Sequence, residues 1–461
     1  MNPLTGALKF FSTTTFNSIV ALIFFLLAGR LVTPDFVGKI AIIQLVETIA
    51  GSFLSLMPYN LITREISHNY ATHSQKLKDI ISTSLTFPIL ISPSLFFLFF
   101  FPSYLWFSIP YFFLYFYSSY QQAVLSGLGK FTEVNLANVI FTITRWGLSA
   151  ISLFFKNIEL LILIWSFGSL IKVIYLQKFL GFNFKFHKEI AKDVIKFGFP
   201  IYLYGIISFI SGQGDRVLTT YFLGSYELGI YQLVALASTV SLIVVSNLTN
   251  NALTPSSTYY YSKGKDITKM SSMTLRFYVI FSLPLSVIGY ALTPLFITHL
   301  FPQYVTGISS MQILILTFTS LSPLQSLSSF LVAVKKDYRP FLIIGTISAL
   351  EVISLSALLI PEFGILGAAV SQAVNVVLTS LLFLYYALAQ GVLTLGKDEV
   401  KALVAIPLVL LCFLSWEFAL ALVLLYIKFS GLIYKDEVSV TLSFLPKQLR
   451  FFGKILYLFS K

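Results

Sequence analysis

Long apolar runs separated by short polar segments are the dominant pattern along this 461-residue chain. A helix that crosses the hydrocarbon layer of a bilayer needs about 20 mostly apolar residues. Twelve runs meet that standard: 8–29, 36–58, 80–101, 104–125, 134–155, 158–180, 197–222, 228–250, 277–299, 308–334, 341–361 and 365–389. A further run, 402–434, is interrupted by Glu417 and Lys428. It is too long for one ordinary crossing and short for two, unless two thin helices meet near Ser415 and Glu417. The pattern predicts an all-α polytopic membrane protein. The first run is too long for the apolar region of a secretory signal and lacks a small-residue cleavage site after it, so it reads as a retained first span.

Charge placement orients the spans. The loops after spans 2, 4, 6, 8, 10 and 12 and their edges carry eighteen Lys and Arg residues, among them Lys185, Lys188, Lys192 and Lys196 after span 6. The alternate loops and their edges carry four: Arg30, Lys39, Lys156 and Arg216. Basic residues accumulate on the cytoplasmic side, which puts the N-terminus there. The stretch after Lys428 adds Lys435, Lys447, Arg450, Lys454 and Lys461. A cytoplasmic tail requires an even number of crossings, so 14 spans are favoured over 13. The tail mixes aromatic and basic residues, which suits either an amphipathic helix on the inner leaflet or a frayed end.

The basic segment 181–196 divides twelve spans into six and six. The halves echo one another. Leu31-Val32-Thr33-Pro34-Asp35-Phe36-Val37-Gly38 joins spans 1 and 2, and Phe222-Leu223-Gly224-Ser225-Tyr226-Glu227-Leu228-Gly229 stands at the same place between spans 7 and 8. Halves with an even number of spans run in the same direction, so the repeat is parallel. The predicted organisation is an N-lobe (1–180), a cytoplasmic linker (181–196), a C-lobe (197–390), spans 13–14 (400–434) and a basic cytoplasmic tail (435–461). Two such lobes in pseudo-twofold repeat are expected to enclose a central cleft.

Composition narrows the function. Charged residues make up 11% of the chain, against about 25% in soluble domains. Mean hydropathy is +0.85, and 46 Phe with 25 Tyr suit a lipid-solvated surface with aromatic belts. The net charge of +12 follows from loop topology, with no basic and aromatic tract to track a nucleic acid. One cysteine, Cys412, and four histidines without an HExxH pattern leave no basis for a disulfide, a zinc site or a catalytic triad, and no cofactor is expected.

Ionisable residues inside spans are costly, roughly 2.5–3.5 kcal/mol on insertion scales, and face cavities or partners. Arg145 lies in the middle of span 5, Lys172 in the cytoplasmic half of span 6 and Arg216 in the outer part of span 7 beside Asp215; Glu47 and Glu351 lie mid-span. On the functional reading, Arg145, Lys172 and Arg216 line a wet cleft and bind a phosphate, with Glu47, Asp215 and Glu351 as cleft acids or coupling groups. On the structural reading, Glu47 pairs with Arg145 and Glu351 with Arg216, and Lys172 snorkels to the surface. Arg30 and Arg64, at span ends, are interface anchors or stand at the mouth of the cleft.

Several stretches resemble a known family. Gly214-Asp215-Arg216-Val217-Leu218-Thr219-Thr220-Tyr221-Phe222-Leu223-Gly224 with Glu227-Leu228-Gly229-Ile230-Tyr231 is similar to the helix 7–8 signature of the O-antigen-type polysaccharide flippases of the multidrug/oligosaccharidyl-lipid/polysaccharide (MOP) exporter superfamily. Leu300-Phe301-Pro302-Gln303-Tyr304 and Phe363-Gly364-Ile365-Leu366-Gly367-Ala368-Ala369 resemble two of its turns, with Pro302 where the family usually has Gly. The resemblance implies two six-helix bundles around a cavity plus two extra helices. It also implies a transporter, not an enzyme, that flips a polyprenyl- or dolichyl-(pyro)phosphate-linked oligosaccharide to the outer leaflet by alternating access. The expected setting is the plasma membrane, with membrane lipids and glycan-assembly proteins as partners, no nucleic acid, and a monomeric state. Two alternatives remain. A cation-coupled multidrug exporter of the MATE type typically needs an acid in span 1, and 8–29 has none. A membrane-embedded glycosyltransferase or polymerase calls for a large outer loop, and the outer loops are short.

Overall fold

The computed structural model describes residues 3–181, 184–239, 266–334, 339–432 and 434, with isolated positions 257, 261 and 264; side-chain surroundings are described from Phe16 onward. The second half of expected span 8, the loop cations Lys263, Lys265, Lys335 and Lys336, and the tail 435–461 lie outside them. The described residues are helical, without a strand, and include nine helices long and apolar enough to cross a membrane.

The chain divides into two compact units, Met1–Leu233 and Val234–Lys461, so the basic segment after span 6 belongs to the first. In chain order the first unit contains α1 (Pro3–Leu31), α2 (Pro34–Phe53), α3 (Tyr59–Ala71), α4 (Leu77–Ile91), α5 (Ser103–Phe107), α6 (Ile109–Gly127), α7 (Phe131–Thr142), α8 (Ala150–Phe155), α9 (Ile158–Gln177) and most of α10 (Lys188–Ser238). A tight 3₁₀ segment, Ser92–Phe100, extends α4, and a π turn, Ile143–Leu148, joins α7 to α8. The α10 range is two helices joined at Gly224, whose φ of +80° is open to glycine at no steric cost. Expected span 7 falls in the first part, and the described beginning of expected span 8 falls in the second. The core of the unit gathers Leu85, Phe116, Leu125, Ala137 and Leu176 from four helices.

The two echoing motifs touch each other. A Cβ on Gly38 would stand 1.7 Å from the Ser225 carbonyl oxygen, and one on Gly229 would stand 1.8 Å from that of Pro34. Counting from each Gly, Ser225 and Pro34 occupy the same place in the two motifs, so the contact is self-complementary, as at a twofold interface. Only hydrogen fits where two backbones approach so closely. The Ser225 hydroxyl donates to Asp35, and Asp35 pairs with Lys39 one turn on at 2.8 Å. Ala41, Leu45 and Leu228 continue the contact as a buried apolar seam.

The second unit contains α11 (Thr268–Leu300), α12 (Ile308–Gln325), α13 (Leu327–Val334), α14 (Arg339–Phe363), α15 (Ile365–Ala389), α16 (Lys397–Ala405) and α17 (Trp416–Ser430). A 3₁₀ segment, Ile406–Phe413, follows α16. Nine α-helical residues at about 1.5 Å and eight 3₁₀ residues at about 2.0 Å each make a rod of roughly 30 Å, the length of about 20 α-helical residues. The chain turns at Leu414–Ser415, with the Ser415 hydroxyl capping α17.

The return is pinned. Tyr426 donates to the Lys401 carbonyl at 3.0 Å, Lys401 Nζ to that of Ser430 at 3.1 Å, and Tyr434 to Asp398 at 2.7 Å. Residues 402–434 therefore form two antiparallel rods, and the chain comes back to the end where α16 began. A buried ion contact fixes the hairpin to α11: Arg276 Nε lies 3.7 Å from Glu399 Oε1, and Arg276 Nη1 donates to the Leu432 carbonyl at 3.0 Å. Arg276, which the charge pattern places among the loop cations, is buried inside α11. Removing one partner of a buried pair leaves a charge without compensation, at a cost of about 3–5 kcal/mol. Glu399→Ala is therefore expected to lower the detergent-solubilised unfolding temperature well beyond the exposed control Glu417→Ala. Equal shifts in a thermal scan would count against this role.

Candidate functional site

Three of the ionisable residues expected inside spans, Glu47, Arg145 and Lys172, converge within the first unit. Glu47 comes from α2, Tyr111 and Tyr115 from α6, Phe141 from α7, Arg145 and Trp146 from the π turn, and Trp165 and Lys172 from α9. The π turn is what aims Arg145 inward. Its extra residue per turn rotates the following side chains relative to an α-helix, and such turns recur at functional sites. Gly168 lets α9 come close, since a Cβ there would lie 2.4 Å from Thr144 Oγ1.

Arg145 meets Glu47 as a two-pronged pair, Nη1 to Oε1 at 3.1 Å and Nη2 to Oε2 at 2.6 Å. Tyr111 donates a third bond to Glu47 Oε2 at 2.6 Å. The guanidinium carbon lies 4.5 Å from the Trp165 ring centre and 4.6 Å from that of Trp146, with Tyr111, Tyr115 and Phe141 between 5.6 and 5.7 Å. A planar cation over ring faces is attracted by the ring quadrupole, most strongly where water is excluded. Arg145 is 7% exposed and Glu47 9%.

Lys172 shares two of these rings. Its Nζ lies 4.7 Å from Phe141 and 5.8 Å from Tyr115. It is 3% exposed, so it does not snorkel to the protein surface. Among the described residues it has no ion pair and no hydrogen bond; its contacts are aromatic. The cluster thus holds two basic side chains and one carboxylate.

The other expected residues are placed differently. Asp215 is buried and accepts from Tyr231 at 2.5 Å on Oδ2, while Oδ1 has no partner among the described residues. Arg216, half-buried, donates to Gln213 on its own helix and does not pair with Asp215. Gln232 reaches to 3.5 Å from Gln44 on α2, three residues before Glu47. Glu351, half-buried on α14 in the second unit, has both carboxylate oxygens without a hydrogen-bond partner among the described residues. Arg30 is exposed at the end of α1, and Arg64 is exposed on α3 beside a cavity.

Sequence reasoning named the charges and missed the cage. Its signal was present: Trp146 and Trp165 sit mid-span, away from the interfacial belts where Trp normally gathers, and Tyr111 and Tyr115 are one helical turn apart.

Residues 4–261, more than half of the chain, match the family model described as polysaccharide biosynthesis protein. No curated protein sequence matches the chain. Among solved structures the fold is similar to that of the lipid II flippase MurJ in an inward closed conformation, with a TM-score of 0.69 at 17% identity over 93% of this chain and 99% of that one. It is also similar to a MATE-family multidrug resistance transporter of the MOP superfamily in an inward-facing conformation, with a TM-score of 0.61 at 12% identity over 84% and 98%. A variant of the Vibrio cholerae MATE transporter VcmN gives 0.54 at 14% identity over 85% and 95%. This membrane protein belongs to the polysaccharide biosynthesis protein family and has the fold of the MOP-superfamily transporters.

Proposed function

We propose that the protein flips a lipid-linked oligosaccharide, carried on a polyprenyl or dolichyl phosphate or pyrophosphate, from the cytoplasmic to the outer leaflet of the plasma membrane by alternating access. The observation that carries this reading is Lys172. A basic group buried among aromatic rings with neither an ion pair nor a hydrogen bond among the described residues is expensive, by several kcal/mol even after relaxation. A chain that keeps one there has a use for it, and a phosphate is the anion that fits. Arg145 is already neutralised by Glu47, so the cluster's one uncommitted basic group is Lys172. In the conformation described here Phe141 and Tyr115 cover it, and the reading requires a second state in which those rings part. Arg216, whose partner among the described residues is the neutral amide of Gln213, is assigned a supporting role for the same head group.

An excess of basic over acidic side chains disfavours a cationic drug as cargo. Glu351, whose oxygens have no hydrogen-bond partner among the described residues, is assigned to coupling with a cation or proton gradient. Nothing in the proposal requires chemistry on the glycan, and a single chain suffices as the transporting unit.

Reconstituted proteoliposomes loaded with a fluorescent lipid-linked oligosaccharide test it. Wild-type protein is expected to expose the glycan to an external lectin. Lys172→Met is expected to cut the rate about ten-fold or more while leaving thermal stability unchanged or raised, because the substitution removes an unpaired buried charge and keeps the volume. Lys172→Arg is expected to retain transport. In the same vesicles Glu351→Gln is expected to lose the response to an imposed ion gradient. Undiminished transport by Lys172→Met would remove the site assignment, and no transport by wild type would remove the function.

A further inference from the structure

α3 has two unlike faces. One is pressed onto α6: Thr63 donates to the Ala123 carbonyl at 3.1 Å, Tyr59 and Ser126 hydroxyls meet at 2.8 Å, and a Cβ on Gly127 would lie 2.7 Å from Ile66 Cβ. The other carries Arg64, Glu65 and His68, three and four residues apart and so on one stripe. This stripe faces the first turns of α10, where Asp193 and Phe197 are one turn apart. The two elements line a cavity of about 830 Å³, within the size range of sites for small molecules.

The side chains of Arg64, Glu65, His68 and Asp193 form no ion pair or hydrogen bond with each other or with any other described residue. A guanidinium, an imidazole and two carboxylates therefore line one cavity without consuming one another. Phe197 is 75% exposed at its edge, held there by α10. The mixture is informative. A guanidinium offers a planar fork to phosphate oxygens. Carboxylates accept from hydroxyls and repel a bare anion. An exposed aromatic face suits the C–H side of a sugar ring. Glu65 and Asp193 would repel a bare phosphate, and the Arg64 charge adds a contact that a phosphate strengthens and a neutral glycan does not. The basic run Lys188, Lys192 and Lys196 on the same first turns of α10 raises the local concentration of anions.

We propose that the cavity between α3 and the start of α10 is a capture site for a glycosyl phosphate head group, with the phosphate on Arg64 and His68 and the sugar on Glu65, Asp193 and Phe197. The proposal rests on the lipid-linked glycan reading above and adds to it a first binding site on the face that carries the Lys188–Lys196 run.

Binding to full-length protein in phosphatidylcholine nanodiscs tests it, with two water-soluble probes: citronellyl pyrophosphate bearing N-acetylglucosamine, and citronellyl pyrophosphate alone. The glycosylated probe is expected to bind about ten-fold more tightly than the bare one. Arg64→Ala is expected to weaken both about ten-fold, as for the loss of a charge-assisted hydrogen bond, and Arg64→Lys to weaken them less. Asp193→Asn and Phe197→Ala are expected to weaken the glycosylated probe alone. Phosphatidylglycerol added to the nanodiscs is expected to compete poorly. Equal binding of the two probes, full competition by phosphatidylglycerol, or unchanged binding by Arg64→Ala would each overturn the capture site. Transport by wild-type vesicles together with unchanged binding by Arg64→Ala removes this site and leaves the flippase reading standing. The expected binding pattern without transport does the reverse.

Discussion

Arg145→Met is expected to destabilise the protein by about 3–5 kcal/mol, among the largest effects of any single substitution in the chain. The loss is not that of the attraction alone. Glu47 would remain buried with its bond from Tyr111, and the two prongs at 3.1 and 2.6 Å would be left open. Five rings placed around a cation would also face a neutral side chain, each ring contact being worth roughly 0.5–2 kcal/mol where water is excluded. Glu47→Gln is expected to cost a comparable amount from the other side. The double substitution Glu47→Gln with Arg145→Met is expected to recover a large part of the loss, since no uncompensated charge remains. Thermal unfolding of the four proteins in one detergent measures the coupling. Additive losses in the double variant would mean that the pair does not act as a unit. The same four proteins separate structure from transport, for if the pair is structural, the double variant regains transport along with stability.

Gly229→Val is expected to be as severe, for a different reason. In most overpacked cores a neighbouring side chain can move aside, and the cost is about 1–3 kcal/mol. At Gly229 the obstacle is the Pro34 backbone oxygen, 1.8 Å from where the Cβ would sit, with the Gly38 nitrogen at 2.8 Å. Backbone cannot change rotamer, so α2 and the segment 225–229 must separate. That opens the seam of Ala41, Leu45 and Leu228 and breaks the bond from Ser225 to Asp35. Gly38→Val is expected to do the same through the Ser225 oxygen. The double variant is expected to be little worse than either single one, because one substitution already parts the surfaces. Unfolding temperatures of the singles and the double decide it. Gly51→Val, where a Cβ would meet nothing within 4 Å, is the control and is expected to shift stability by no more than about 1 kcal/mol.

The two predictions draw on different levels of information. The Gly38 and Gly229 motifs were visible as an echo between the halves, and the echo says that the turns are alike. It does not say that they meet. Their contact is a property of how α2 and α10 pack in three dimensions. For Arg145 the residues left open a wet cleft or a pairing with Glu47, and in the structure it meets Glu47. Charges almost a hundred residues apart carry no mark of which partner they take, because the partner is set by helix rotation and depth. Here the π turn at Ile143–Leu148 supplies part of that rotation. The C-terminal hairpin is a mixed case. Its ambiguous length of apolar sequence pointed to a break near Ser415. The 3₁₀ winding of Ile406–Phe413, which gives the shorter rod its reach, followed from neither composition nor periodicity.

The sequence by itself determined the membrane class, the all-helical fold and the family. Those follow from the free energy of placing each residue in hydrocarbon, which sums locally along the chain. Only the tertiary structure decided that Arg145 pairs with Glu47, that Lys172 has no ion pair or hydrogen bond among the described residues, that five aromatic rings surround the one and two of them cover the other, and that Arg276 is buried against Glu399. Those depend on which helix faces meet, and a buried charge takes its character from every neighbour that excludes water around it.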